Sequence, residues 1–316
     1  MDHGPDDIGF FQIDKKTCNA EVSSMPRFQA LAITTNYWKP GEDYLNAIVK
    51  AVEKKVDDDD YLVVSEKALS TASGNIVDES NIQPSFSAEI IARLWMRVCW
   101  GYLLSAMLSF GKNLTRNLRE YPLESGSRHK QLALQHTGFL QALMFGSEGG
   151  IDGSNLPYAY VSLPLNNSEE IAANIRREIR TKLKKGTTVI IVDTDKTYSF
   201  RNFHFTPRPK PMRGIYSHGG IIAYIIGRIF MLKKRPTSLA VVGQELSAEE
   251  ALRLANVADR ARGAGSGTTV WKMAARFGVN VTGVTWNMLS GIRHQPIVIV
   301  RRNNYKKTVT VTLSPS

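Results

Sequence analysis

The sequence predicts an α+β fold of mixed sheets with packed helices, and three observations carry that expectation. Short β-branched runs such as Tyr61–Val64, Thr188–Val192 and Pro296–Arg301 read as buried strands. Between them stand amphipathic stretches with helix start and stop signals, at Tyr44–Lys55, Ser168–Lys185 and Ser247–Arg262. The chain of 316 residues, 43% hydrophobic and 22% charged, has the composition of a globular protein with a sizeable core.

Taken in order, residues 1–24 are mixed and polar and read as an N-terminal extension. Phe28–Thr34 forms a strand, punctuated by the turn Lys39-Pro40-Gly41. In Tyr44–Lys55 the apolar Tyr44, Ile48, Val49 and Val52 share one helical face, and Asp57–Asp60 caps a turn before strand Tyr61–Val64. Residues 86–110 are the most apolar stretch, uncharged over the 13 positions Val98–Phe110. A membrane span needs about 20 such residues, so a buried helix pair is expected and no stable membrane insertion. An interfacial helix stays open, because Trp95, Trp100 and Tyr102 sit among Arg and Lys. Gly146–Asn155 is a glycine-rich polar loop, the kind that lets backbone approach a ligand closely.

In Ser168–Lys185, Ser168 serves as N-cap and Gly186 as the stop. Strand Thr188–Val192 then delivers Asp193-Thr194-Asp195 at its carboxyl end. Aromatic and basic residues interleave from Tyr198 to Arg208, Ile221–Leu232 is apolar but broken by Gly227, and Leu239–Val242 is a strand. Ser247 with Glu250 makes a capping box for a helix running to about Arg262. Gly263–Gly267 reads as a flexible joint, followed by short helices at Val270–Phe277 and Val284–Ile292. Lys306–Leu313, in the basic tail 303–316, alternates like an edge strand.

Charge narrows the partners without choosing among them. With 40 Lys+Arg against 29 Asp+Glu the formal charge is +11, suited to nucleic acid, an anionic membrane surface or small polyanionic substrates such as nucleotides. Two cysteines, Cys18 and Cys99, exclude a disulfide framework and a Cys-rich zinc site. The acidic start lacks the basic and apolar regions of a secretory signal, so a cytoplasmic location is expected.

The strongest site signal is the pair Gly149–Asn155 and Ile190–Asp195. A carboxylate at the end of a buried strand, followed by a hydroxyl, suits Mg2+ or Mn2+, since such cations take oxygen ligands and phosphates. The plainer reading is a strand end and an Asx turn at Asp152 and Asn155. Ser65-Glu66-Lys67 and Ser70-Thr71, just past strand Tyr61–Val64, offer hydroxyls and an ammonium to phosphate. Neither a Walker-type phosphate loop nor a dinucleotide fingerprint is present, and the six histidines show no metal-ligand spacing. A competing constellation is the helix–turn–helix outline at 268–292, which on a basic chain suggests a nucleic-acid-binding protein. Its second helix carries Trp286, Met288 and Leu289 in place of base-reading side chains, which disfavours that role.

On these residues the sequence resembles the coenzyme F420-0:L-glutamate ligases, the gamma-glutamyl ligases of deazaflavin-cofactor biosynthesis. Gly150–Asn155 is similar to the family's Gly-Ile-Asp-x-Ser-Asn loop, and Val189–Thr194 to its strand ending in Asp-Thr. Thr35–Asp43, Asp59–Lys67, Ala72–Gly74 and Pro296–Arg301 resemble further family segments, in the same order over roughly 30–302. The resemblance implies a two-part ligase fold with an added helical insertion: a catalytic unit over 25–302, a poorly matched helical region at 86–130, and a helix-pair insertion at 268–292. It implies a GTP-dependent ligase that joins L-glutamate to F420-0 through an acyl phosphate and releases GDP and phosphate. A different carboxylate acceptor remains the alternative. Carried over by position, Asp152 and Asp193 are catalytic metal ligands and Thr194 serves a second metal, with Mg2+ or Mn2+ possibly two per site. Thr35, Asn36, Tyr37, Trp38, Glu66, Lys67, Thr71 and Asn155 contact GTP. The family's proline falls on Asn36 and its lysine on Thr71. Gly263–Gly267 falls where the family has a glycine-rich loop on the nucleotide side. A homodimer is implied, and no nucleic-acid partner.

Overall fold

The computed structural model of the chain describes residues 27–146, 148–217, 219–263, 265 and 267–303. The extension expected over 1–24 and the edge strand expected at Lys306–Leu313 lie outside the described residues. The strands are β1 (Arg27–Thr35), β2 (Tyr61–Ser65), β3 (Ile76–Asp78), β4 (Tyr160–Ser162), β5 (Thr188–Phe200), β6 (Phe203–Thr206), β7 (Tyr216–Ser217), β8 (Lys233–Val242) and β9 (His294–Asn303). Seven of them form one mixed sheet, in the order β1-β9-β2-β5-β6-β7 with β8 also on β5, while β3 and β4 pair separately. The helices are α1 (Tyr44–Val52), α2 (Glu66–Ala72), α3 (Phe86–Ile90), α4 (Ser105–Met107), α5 (Lys112–Arg119), α6 (Leu123–His136), α7 (Phe139–Ala142), α8 (Ser168–Leu183), α9 (Ile221–Ile229), α10 (Ala248–Arg262), α11 (Val270–Phe277) and α12 (Trp286–Ser290). The α+β expectation holds.

Both faces of the sheet are covered, and alternation along the strands shows it. Leu62, Val64, Val189, Ile191, Ile297 and Ile299 pack with α1, α2 and α8. Their neighbours Tyr61, Val63, Ile190, Val192, Val298 and Val300 pack on the opposite face with Leu254, Ala255 and Ala258 of α10. A period of two with apolar residues at every position is what a doubly covered sheet requires. The acidic turn before β2 is tied down by Asp60, which accepts from Arg301 Nε and Nη2 at 2.7 Å each.

Strand β5 is the axis of the site. It is longer than expected, so Asp193 lies inside it and not at its end. Residues 189–199 pair with β8 along one edge. Along the other edge β2 pairs only as far as Ser65↔Val192, and β6 begins only at Tyr198↔Phe205. That edge is therefore open over 193–197, and the β8 ladder shifts register between Asp193 and Lys196. Strand β8 is likewise longer than the expected Leu239–Val242.

Other local expectations are corrected. Residues 86–110 do not make a buried helix pair. Phe86–Met107 runs on as α3, a π-helical stretch Ile91–Leu104 and α4. Ala88, Ile91, Ala92, Met96, Trp100 and Leu104 are buried, whereas Leu94, Val98, Tyr102 and Leu103 are exposed, because α5 and α6 reach only one side of the rod. Among the described residues no helix is long and apolar enough to cross a membrane. Asn167, not Ser168, is the N-cap of α8, and Lys184 in a left-handed conformation ends it before Gly186. Gly227 does not break α9. It lets the helix lie on Tyr198, whose ring a Cβ at that position would meet at 2.2 Å.

Gly227→Ala tests this packing. Alanine favours an exposed helix by about 1 kcal/mol, but overpacking costs about 1–3 kcal/mol. The expected outcome is a lower urea midpoint for the variant, and an unchanged or higher midpoint would show that α9 does not rest on Tyr198.

Candidate functional site

A cavity of about 520 Å³ opens where the turn after β1, the start of α2, the glycine loop, the middle of β5 and the end of α10 converge. Its wall carries Tyr37, Trp38, Lys67, Thr71, Asp152, Asn155 and Thr194, seven residues singled out from the sequence. Lys67 is the hub of one side. Its ammonium pairs with Asp152 Oδ2 and donates to Ser154 Oγ at 2.7 Å and Ser154 O at 3.1 Å. Asp152 Oδ1 accepts from Ser154 N at 2.7 Å, so the Asx turn of the plainer reading is present as well. Thr71 lies one helical turn on and donates to Lys67 O at 2.8 Å.

Thr35 and Asn36 sit at the rim through His294, whose Nδ1 is 3.1 Å from Thr35 Oγ1 and 2.9 Å from Asn36 O. Tyr37 and Trp38 pack around that imidazole, with ring centroids 4.6 Å and 5.7 Å from it. The Tyr37 hydroxyl donates to Asn155 O. Burial and the nearby Asp152 raise its pKa, so it stays a donor. Burial also pushes His294 down to about 4, with Arg262 adding and the Asn36 carbonyl opposing.

The expected joint Gly263–Gly267 is a wall of the cavity at its described positions, Gly263, Gly265 and Gly267. Asn155 Nδ2 donates to Gly267 O at 3.3 Å. The helix–turn–helix outline packs over the glycine loop. Met273 Sδ receives Asn155 N at 3.1 Å, Val284 O receives Tyr158 N at 2.9 Å, and Trp286 packs edge-on against Tyr37. Met273, Val284 and Leu289 bury their apolar surface on one another and against Tyr37 and Trp286.

Two predicted residues stand behind the wall. Glu66 is buried, with Oε1 accepting from Leu165 N at 2.7 Å and from Arg208 Nη2 at 2.5 Å. Asp193 Oδ2 accepts from Arg208 Nε at 2.8 Å, and its Oδ1 from Asp195 N at 3.3 Å. Burial pushes Glu66 up to about 7; Arg208 pulls it back and Asp193 adds to the rise. The Glu66 and Asp193 carboxylates are thus both directed to Arg208, and neither side chain lines the cavity.

Sequence reasoning missed the groups that hold these elements together. Arg208 was read only as part of a basic run. Glu148, at the head of the glycine loop, bonds buried Lys130 at 2.5 Å and His129 Nε2 at 2.9 Å, while His129 Nδ1 reaches Glu79 at 2.5 Å. Although burial opposes it, the two carboxylates raise His129 to about 10, and its partners Lys130 and His129 hold Glu148 down to about 2 against the effect of burial. No local pattern announces a cluster that joins three separate segments.

For a divalent cation the donor set is all oxygen. Asp152, Thr194 and Asp195 line the cavity, with Asp193 immediately behind. No group of three or more His, Cys, Asp or Glu side chains that could hold a metal by themselves occurs among the described residues. Magnesium typically takes one or two carboxylates and completes its shell with water and substrate phosphates, and the donor set fits that use. Lys67, Lys196, Arg262 and Arg293 also line the space, although Asp259 beside them pairs with Arg262 at 2.9 Å and with Lys196 at 3.7 Å, and a small positive excess remains to suit a polyanion.

Comparison with known proteins gives the chain's relatives. The family model described as F420-0:gamma-glutamyl ligase matches residues 32–205. An uncharacterized protein of Methanocaldococcus jannaschii is 32% identical over 291 residues, covering 88% of this chain and 98% of the relative.

His294 offers a pH test. Its unfolded value is about 6.5 and its folded value about 4, so the stability from keeping it neutral is present above pH 6.5 and lost as pH falls towards 4. The urea midpoint of His294→Gln should therefore fall less over that window than that of the parent. Equal slopes would show that His294 is not held neutral.

Proposed function

The chain belongs to the F420-0:gamma-glutamyl ligase family, and from that premise we propose that it is a GTP-dependent amide ligase. In this reading it joins L-glutamate to the deazaflavin precursor F420-0. The observation that supports it best is the meeting, in one cavity, of Lys67, Asp152, Asn155 and Thr194 with Gly263, Gly265 and Gly267. Family membership supports the coarser statement, a ligase of coenzyme F420 biosynthesis.

A carboxylate is a poor acyl donor, because its leaving group would be oxide. An oxygen of the acceptor's carboxylate attacks the γ-phosphorus of GTP, the bond to the β-phosphate oxygen breaks, and GDP leaves. The α-amine of glutamate then attacks the acyl carbon, phosphate departs with the electron pair of the C–O bond, and the nitrogen loses a proton. The work left to the protein is positioning and neutralising charge. Lys67 presents its ammonium to phosphate oxygens from a fixed place, because Ser154 and Asp152 hold it. Arg293, together with Lys196 and Arg262 around Asp259, leaves a positive excess on that side for the anionic substrates. Tyr37, Trp38 and His294 form an aromatic wall suited to a base or a ring system. Mg2+ or Mn2+ bound by Asp152 and Thr194, with Asp193 and Asp195 beside them, would neutralise charge on the transferring phosphoryl group.

The test is a mass measurement after incubating the protein with GTP, Mn2+, L-glutamate and F420-0. The expected product is heavier than F420-0 by one glutamyl unit, with GDP and phosphate formed in equal amounts. Asp152→Asn and Asp193→Asn should each lower turnover by at least about a hundredfold while remaining folded. Glutamate-dependent GTP cleavage without a change in F420-0 would point to another carboxylate acceptor. Absence of both would overturn the ligase reading.

A further inference from the structure

We propose that Arg208 is the positioning residue of this site. Its guanidinium sets α2, β5 and the glycine loop in one mutual geometry, so that Lys67, Thr194 and Asp152 meet at the phosphate end of the cavity. The inference rests on the nucleotide reading of that cavity and adds to it a residue that the sequence motifs do not mark.

The case begins with where the three donors go. Nη2 reaches Glu66 Oε1 at 2.5 Å, Nε reaches Asp193 Oδ2 at 2.8 Å, and Nη1 reaches Gly149 O at 2.8 Å. Each acceptor belongs to a different segment and lies close in sequence to a residue on the cavity wall. Glu66 precedes Lys67, Asp193 precedes Thr194, and Gly149 stands three residues before Asp152. Arg208 is buried and does not line the cavity, so it acts through its neighbours.

The surroundings are built for this fork. The open edge of β5 over 193–197, between the last β2 pair and the first β6 pair, leaves room for a side chain from the segment after β6. Arg208 N donates to Thr206 Oγ1 at 3.2 Å, which fixes the backbone, and Nη1 also reaches Pro209 O at 3.2 Å, which holds the tip of the side chain. Gly150, at φ +99, leaves space for the guanidinium, since a Cβ there would lie 2.6 Å from Arg208 Cζ. A planar guanidinium can satisfy three directed acceptors at once, whereas an ammonium is a point charge without that geometry. Glu66 keeps its bond from Leu165 N, and Asp193 its bond from Asp195 N, whatever occupies position 208. Loss of the fork therefore unties the segments from one another while leaving each locally anchored.

The decisive variants are Arg208→Lys and Glu66→Gln, read by two methods below their melting temperatures. The first is affinity for a non-hydrolysable GTP analogue with Mn2+, which involves no chemistry. The second is amide hydrogen exchange. Arg208→Lys should weaken the analogue by about tenfold or more, as loss of an outer supporting contact does. Exchange should accelerate in residues 148–156 and 66–72, with β2, β5 and β9 protected as in the parent. Unchanged affinity in a folded Arg208→Lys protein would overturn the proposal, because a merely structural arginine would lower melting alone. Should that variant not fold, Glu66→Gln carries the same expectation at about threefold or more, and unchanged affinity there overturns it equally. If the parent protein binds no nucleotide, the nucleotide reading fails on its own. Exchange then decides the role of Arg208: acceleration confined to 148–156 and 66–72 supports it, and unchanged exchange overturns it.

Discussion

A guanidinium buried between two carboxylates is the constraint around which the rest of this structure is arranged. Arg208 carries its positive charge between the carboxyl groups of Glu66, which burial lifts to about 7, and Asp193. Removing such groups from water costs several kcal/mol per ion, and only close pairing with full hydrogen bonding offsets that cost. The fold meets the requirement by ending β2 at Ser65, delaying β6 until Phe203 and turning the carbonyl of Gly149 inward. Part of the cavity wall follows from it: Lys67 adjoins Glu66, Thr194 adjoins Asp193, and Asp152 stands three residues after Gly149.

The same rule operates a second time in the helical region. Lys130 and Glu148 are fully buried and paired, and His129 bridges Glu148 to Glu79. Because Glu148 directly precedes Gly149, the glycine loop is held between two buried ion clusters, one in the helices and one beside the sheet. Residues 86–145 thereby contribute to the site without lining most of it. The overall charge of +11 has a local expression too, in Lys67, Lys196, Arg262 and Arg293 on the cavity wall.

How legible the molecule was depends on the range of the interaction involved. Helix α10 was read almost to the residue, because the Ser247–Glu250 capping box is a local signal and forms as expected. The buried strand segments were equally plain, although β5 and β8 ran further than their apolar cores suggested. Hydrogen bonding to a neighbour extends a strand through polar residues such as Thr197 and Ser199, and no property of those residues alone reveals it. Gly227 was misread for a related reason. Glycine weakens an isolated helix, but here the absent side chain is what the Tyr198 ring requires. The motif that singles out Glu66 does not show that its carboxylate is bonded to a guanidinium 142 residues on.

Local chemistry written along the chain determined the fold class, the strand and helix cores, and the pairing of a glycine loop with an Asp-Thr strand as the candidate site. Those features depend on period, capping and residue type over a few positions, which one sequence displays directly. Tertiary structure alone decided that His294 closes on Thr35 and Asn36 some 258 residues away, that Gly263, Gly265 and Gly267 line the cavity, and that Arg208 joins three segments. Those outcomes depend on which distant groups must share a buried charge or a hydrogen bond, and that choice is made only when the chain is packed.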